Sequence, residues 1–232
     1  MVKMTFLKTH NNEFILENDD TFLKRSTILA FSILCWWASE YLLRPMLGSF
    51  ILNAQSIWGK DYSMLGSHIF SQGLSVLAVS LILLVFFIKI KKIPRPQFYM
   101  DLKLITKEGF LWGVISCLPV IPLALGMGFR IGFLLDSQKI IGNIFSNSYE
   151  EIIYRAFLFL IVTYAFKRVS IGILFSAILF GIVHNQYPIS LQITVGFAGI
   201  CFSLAYIRSN SILAALLAHQ LADMILDSIL IQ

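Results

Sequence analysis

Seven apolar runs, each about as long as a bilayer is thick, leave this chain few ways to fold. They cover Ser26 to Leu43, Ile69 to Phe87, Phe110 to Phe129, Ile140 to Phe166, Val169 to His184, Ser190 to Ile207 and Ile212 to Ile231. A helix needs about 20 apolar residues to cross the hydrocarbon layer. These runs are apolar on all sides and too long for strands, so each reads as a helix whose backbone polar groups are satisfied internally. The expected fold class is all-α, a polytopic membrane bundle of about seven transmembrane helices. Hydrophobic residues make up 57% of the 232 positions and charged residues only 13%, against about a quarter charged in a soluble domain.

The fourth run is long enough to tilt or to begin before the membrane. The third holds Pro119 and Pro122, followed by Gly126, Gly128 and Gly132, which predicts a kinked helix. The stretch Asn53 to Ser67 carries Trp58 and Tyr62, residues that suit a membrane interface. Lys89 to Pro96 is a loop broken by two prolines, a topology anchor that also suits anionic head groups. The polar segment 1–25 has no signal-peptide pattern, so the first span is expected to stay in the mature protein. Cys35, Cys117 and Cys201 each sit inside an apolar run and read as packing residues. Glu40 and His68 lie near span ends, where snorkelling accommodates them.

The net charge of +5 comes from basic residues between the spans, and it points to topology rather than to nucleic acid. With the N-terminus in the cytoplasm, 13 of the 18 Lys and Arg residues fall on the cytoplasmic side. Arg44, Lys60, Arg130 and Lys139 fall on the far side, and Arg155 lies within a span. This bias favours an odd number of spans with the N-terminus inside.

Ionisable groups inside a span cost about 2.5–3.5 kcal/mol each on translocon scales, and here they gather in the C-terminal half. Glu150, Glu151 and Arg155 lie on the fourth run, His184 ends the fifth, and His219, Asp223 and Asp227 lie on the seventh. Glu151 and Arg155 are four apart and can pair on one helix face. Glu150 points roughly 100° away, toward a different neighbour. His219 and Asp223 also share a face, and Asp227 continues it for another turn. Phe180 lies one turn before His184 and reads as a shape-setting residue. At about 1.5 Å per residue, Glu150 and Asp223 lie at depths of about 15 Å and 16 Å from opposite surfaces, and hence near one level. His219 is about 6 Å nearer the cytoplasm on the same scale. Three chemistries suit such a set. A carboxylate and a His can activate water for peptide hydrolysis while a second His stabilises the oxyanion. Two His and carboxylates can hold Zn²⁺ with a position left for water. The same groups can also relay protons or ions, although transport by inverted repeats is disfavoured, because the first half is nearly free of buried charge.

Three motifs occur in order. Glu150-Glu151-Ile152-Ile153-Tyr154-Arg155 is E-E-x-x-x-R, Phe180-Gly181-Ile182-Val183-His184 is F-x-x-x-H, and His219-Gln220-Leu221-Ala222-Asp223 is H-x-x-x-[N/D]. Together they resemble the CAAX-protease and bacteriocin-processing (Abi) family of intramembrane endopeptidases, over about Ile140 to Asp227. The resemblance implies that Glu150 and His184 activate water, that His219 and Asp223 stabilise the oxyanion, and that Glu151, Arg155 and Phe180 support the site. It implies a protein or peptide substrate cut near its C-terminus or membrane segment, in CAAX-like, peptide-precursor or C-terminal sorting-tail processing, the substrate being lipidated or carrying a C-terminal transmembrane tail in the first and last cases. The partners would be that substrate and membrane lipids, with no nucleic acid. The family has been described both as glutamate-dependent and as metal-dependent. The glutamate mechanism without a cofactor is preferred here, and Zn²⁺ on Glu150, His184, His219 and Asp223 is the alternative. Asp223 stands where some relatives have Asn. An ionised carboxylate is a poor oxyanion partner, so Asp223 would be protonated, orient His219 or bind a metal. A non-enzymatic immunity or scaffold protein and a proton- or ion-translocating protein are the remaining readings. The expected organisation is a polar cytoplasmic segment 1–25, motif-free transmembrane helices over 26–135 and a catalytic core over 136–232. Compact size suits an integral, multi-pass protein of a bacterial cytoplasmic membrane.

Overall fold

The computed structural model describes residues 21–43, 45–46, 64–89, 100–134 and 136–231. The polar N-terminal residues to Asp20, the interface candidates Trp58 and Tyr62, the prolines of the loop after Lys89, and the side chain of His68 lie outside the described part.

The chain is a bundle of helices. α1 (Phe22–Ala38) starts at Thr21, whose hydroxyl accepts the Lys24 N–H, and runs into a π-helical turn, Ser39–Leu43. α2 is Met64–Lys89. α3 (Leu102–Cys117) is capped by Asp101, whose carboxylate accepts the Leu104 N–H at 3.1 Å. That cap is a standard way to satisfy an orphan donor of the first turn, and it starts the third span eight residues earlier than its apolar run suggests. The expected kink is a full break: Leu118 and Pro119 form a turn, and α4 (Val120–Gly126) continues beyond it. β1 (Arg130–Ile131) pairs antiparallel with β2 (Leu230–Ile231), so the last described residues leave the final helix to form a short ribbon.

α5 (Ser137–Glu151), a π-helical segment (Ile152–Leu158) and α6 (Phe159–Phe166) form the helix of the fourth apolar run. From Ile153 to Ala165 every side chain is buried. A helix apolar all round belongs at the centre of its fold, and α1, α2 and α7 (Val169–Val183) pack around this one. α8 (Ile189–Ser209) and α9 (Ile212–Ile229) complete the bundle, joined by a tight turn with Asn210 in the left-handed region at φ 52°. Asn tolerates that conformation better than most residues. α9 packs against α3, α8 and α5.

The helices meet through small residues. A Cβ on Gly181 of α7 would fall 2.6 Å from the Gln192 carbonyl of α8, and one on Gly113 of α3 would fall 2.8 Å from the Ala218 carbonyl of α9. Close backbone approach of this kind replaces the hydrophobic driving force that lipid does not provide. The outer faces remain apolar, as in Leu174, Ile178 and Ile182, spaced four apart along α7 and each about half exposed. Polar side chains such as Glu151, Arg155 and Asn147 are buried. Among the described residues, four helices are long and apolar enough to cross a membrane, and the protein is an integral membrane protein.

Candidate active site

α5 carries the two adjacent glutamates into the bundle, and the π-helical segment that follows carries Arg155. π-turns widen the backbone locally and recur at functional sites. Arg155 Nε lies 3.1 Å from Glu151 Oε2, with both side chains 1% exposed. Arg155 Nη2 donates to the Gly199 carbonyl of α8 at 3.2 Å. The guanidinium also lies over aromatic rings, 4.7 Å from the centroid of Phe180 and 5.4 Å from that of Phe202. An ion pair, a carbonyl and two ring faces together offset the desolvation of a fully buried arginine.

The other oxygen of Glu151, Oε1, receives Nδ1 of His219 from α9 at 2.8 Å. Glu151 therefore bridges Arg155 and His219, whereas the helical spacing alone pairs it with Arg155. A carboxylate on Nδ1 fixes the ring and directs Nε2 elsewhere. His219 Nε2 lies 3.9 Å from Glu150 Oε2 and 3.9 Å from Asp223 Oδ2. Phe202 stacks on the imidazole at 4.5 Å with 21° between planes, and Phe180 meets it edge-on at 5.6 Å.

His184 caps the C-terminal end of α7, where the helix has ended and φ/ψ are −82° and 43°. Its Nδ1 lies 2.7 Å from the Phe180 carbonyl. A carbonyl only accepts, so Nδ1 carries the hydrogen and Nε2 is the basic nitrogen of the neutral ring. The ring packs edge-on against Phe180 at 4.8 Å and stacks on Tyr187 at 6.2 Å. Phe180, 1% exposed, thus separates the two histidines and touches both.

A cavity of about 320 Å³ opens over this centre, and His184, His219, Asp223 and Asp227 all line it. Its remaining wall is mostly apolar, formed by residues such as Val120 and Ala124 of α4, Leu191 and Val195 of α8, and Leu226 of α9. Glu150 reaches the centre through its 3.9 Å approach to His219.

The motifs contain no sign of Asn147, Asn143 or Gln220 acting together. Asn147, 2% exposed, donates to Asp223 Oδ2 at 2.8 Å and to Gln220 Oε1 at 3.2 Å. Asn143 donates to Asp227 Oδ2 at 2.9 Å. The available signal was spacing, because Asn143, Asn147 and Glu151 follow one another at i, i+4 on a helix face otherwise bound for lipid or core. His219 offers one nitrogen to any metal, since Nδ1 is held by Glu151. Among the described residues no group of three His, Cys, Asp or Glu side chains is arranged to hold a metal ion.

No curated protein and no solved structure matches the chain. A family model does match, over residues 137–225, the segment that supplies Asn147, Glu150, Glu151, Arg155, Phe180, His184, His219 and Asp223. The family is described as type II CAAX prenyl endopeptidase Rce1-like, and residues 137–225 are similar to it.

Proposed function

We propose that the chain is an intramembrane endopeptidase in which Glu150 and His184 activate a water molecule and His219 and Asp223 hold the oxyanion. The family supports proteolysis in the membrane as the class of activity. The roles of Glu150, His219 and Asp223 rest on one observation, the placing of His219 Nε2 at 3.9 Å from both Glu150 Oε2 and Asp223 Oδ2, and that of His184 on the F-x-x-x-H resemblance and its place in the cavity wall. That distance is too long for a direct hydrogen bond, and it suits a water held at about 2.8 Å from both groups.

In the proposed reaction Glu150 takes a proton from this water as its oxygen attacks the scissile carbonyl carbon. The C=O π electrons move to the carbonyl oxygen, and the oxyanion is met by the Nε2–H of His219 as an imidazolium, its Nδ1–H staying on Glu151, and by protonated Asp223. Collapse of the tetrahedral intermediate breaks the C–N bond. The proton held by Glu150 passes to the departing amine, and His184 is the second base of the centre. Glu151 orients His219, so Asp223 is not needed for that task. The substrate would lie with its apolar part against Val120, Ala124, Leu191, Val195 and Leu226, which suits a lipidated C-terminus or a membrane tail. Helices from 26–135 would frame a core over 136–232. Lys and Arg placement supports a cytoplasmic N-terminus, and the membrane proposed is a bacterial cytoplasmic one.

The test uses purified protein in detergent or vesicles, with a farnesylated peptide, its unlipidated twin and a peptide with a C-terminal transmembrane tail. Wild type is expected to cut at least one. Glu150→Gln and His184→Ala should lose about a thousandfold or more in kcat while keeping the wild-type Tm. Retained cleavage in Glu150→Gln would sink the assignment. Loss of activity to a chelator, with recovery on added Zn²⁺, would make the same side chains metal ligands and overturn the metal-free mechanism.

A further inference from the structure

Asn147 lies one helical turn before the glutamates, outside all three motifs, and is almost fully buried between α5 and α9. Its side chain is part of a chain of hydrogen bonds whose direction can be worked out. The Ile140 carbonyl can only accept, so Gln220 presents Nε2 to it, at 3.2 Å. That leaves Gln220 Oε1 to face Asn147, where it must receive a hydrogen. Asn147 therefore turns Nδ2 to this side and donates to Gln220 Oε1 at 3.2 Å and to Asp223 Oδ2 at 2.8 Å. Its Oδ1 accepts from the Ser146 hydroxyl at 3.4 Å. Both amide hydrogens are used, and a backbone carbonyl of α5 is tied through two side chains to a carboxylate of the centre.

The oxygen that Asn147 holds is the one that matters. Asp223 Oδ2 is the atom 3.9 Å from His219 Nε2, and Asp223 lines the cavity. An Asp side chain on a helix has a broad, soft second torsion, so the carboxyl plane needs an external partner to stay at one angle.

We propose that Asn147 is a positioning residue of the hydrolytic centre, fixing the plane of the Asp223 carboxyl group against His219. The inference rests on the proteolytic reading above. Asn147 touches no reacting atom in it. It acts through Asp223, so its loss should lower kcat and leave KM near the wild-type value.

The experiment compares wild type, Asn147→Ala, Asn147→Asp, Asp223→Asn and the exchanged pair Asn147→Asp/Asp223→Asn, on the substrate that wild type cuts best. Asn147→Ala is expected to lose roughly ten- to hundredfold in kcat, with KM within about twofold. Asn147→Asp should lose more, because oxygens then face both Asp223 and Gln220. In the exchanged pair an amide at 223 again meets a carboxylate at 147, and kcat should recover at least tenfold over Asn147→Asp. A merely structural role would lower Tm in parallel and give no such recovery. If wild type cuts and Asn147→Ala cuts as well with unchanged kcat, the inference is overturned while the protease reading stands. The same holds if the exchange gives no recovery although all variants keep the wild-type Tm. If wild type cuts none of the panel, the protease reading itself fails and takes this inference with it.

Discussion

Glu151 holds His219: Oε1 lies 2.8 Å from the ring's Nδ1, while Oε2 of the same carboxylate lies 3.1 Å from Arg155 Nε. One buried carboxylate is thus shared between a fixed cation on its own helix and an imidazole from α9. It joins the E-E-x-x-x-R motif to the last motif across 68 residues of sequence.

Replacing Glu151 by Gln keeps the shape and removes the charge. The amide can offer His219 either an acceptor or a donor, so the imidazole is no longer confined to the form with hydrogen on Nδ1. Mis-set tautomers are costly in hydrolytic centres, and kcat should fall by about a hundredfold or more. Single-turnover cleavage with a matched Tm checks this. Activity within a few-fold of wild type would show that Glu151 serves only to neutralise Arg155.

Arg155 is fully buried, and removing it leaves the buried Glu151 charge without its fixed cation and with His219 alone. Breaking a buried pair from one side costs about 3–5 kcal/mol, so Arg155→Ala should unfold at markedly lower denaturant or temperature. Arg155→Lys keeps the charge but loses the planar stacking on Phe180 and Phe202 and should fall between the two. The pair Glu151→Gln/Arg155→Met, with no charge left to strand, should be more stable than Arg155→Ala alone. Denaturation of the three variants in detergent decides the order.

The membrane bundle was legible because lipid forces the backbone into helices, and the apolar runs gave their number and approximate limits. The ion pair of Glu151 with Arg155 was legible because both lie on one helix at i, i+4. The bond from Glu151 to His219 was not, since nothing local tells which carboxylate of Glu150 and Glu151 a residue 68 positions away will meet. The register of α5 against α9 decides it, and that register is set by packing between helices distant in sequence. The early start of α3 followed from Asp101, a cap that an apolar-run reading passes over. The network through Asn147 and Gln220 was hidden because amides in a span carry no motif and declare themselves only by their partners.

Phe180 sits where the aromatic and ionic parts of the centre meet. It packs edge-on to Tyr154 at 5.0 Å, to His184 at 4.8 Å and to His219 at 5.6 Å, beneath the Arg155 guanidinium. Phe180→Ala would leave a cavity costing about 3–5 kcal/mol and would confuse stability with chemistry. Phe180→Leu is the cleaner change. It keeps most of the volume, loses the ring face under Arg155 and the edge contacts to both histidines, and should cost about 1–2 kcal/mol. Because both imidazoles lose a wall, kcat should fall further than that stability loss explains. A Leu variant with reduced Tm and unchanged kcat would reduce Phe180 to a packing residue.

Two glycines test whether close helix approach holds the centre together. At Gly113 a Cβ would lie 2.8 Å from the Ala218 carbonyl and 3.2 Å from Leu221 Cβ, so α3 and α9 would have to part. At Gly126, at the end of α4, a Cβ would meet nothing within 4 Å. Gly113→Ala should therefore cost about 1–3 kcal/mol. It should also lower activity, because Ala218 precedes His219 and any shift of α9 moves that imidazole against Glu150 and Glu151. Gly126→Ala should leave Tm and kcat near wild type, since the added methyl has open space. Thermal unfolding and cleavage measured on both variants separate the cases. Equal behaviour of the two would mean that α9 tolerates displacement from α3, and that the position of His219 is set by Glu151 and Phe202 rather than by the helix contact.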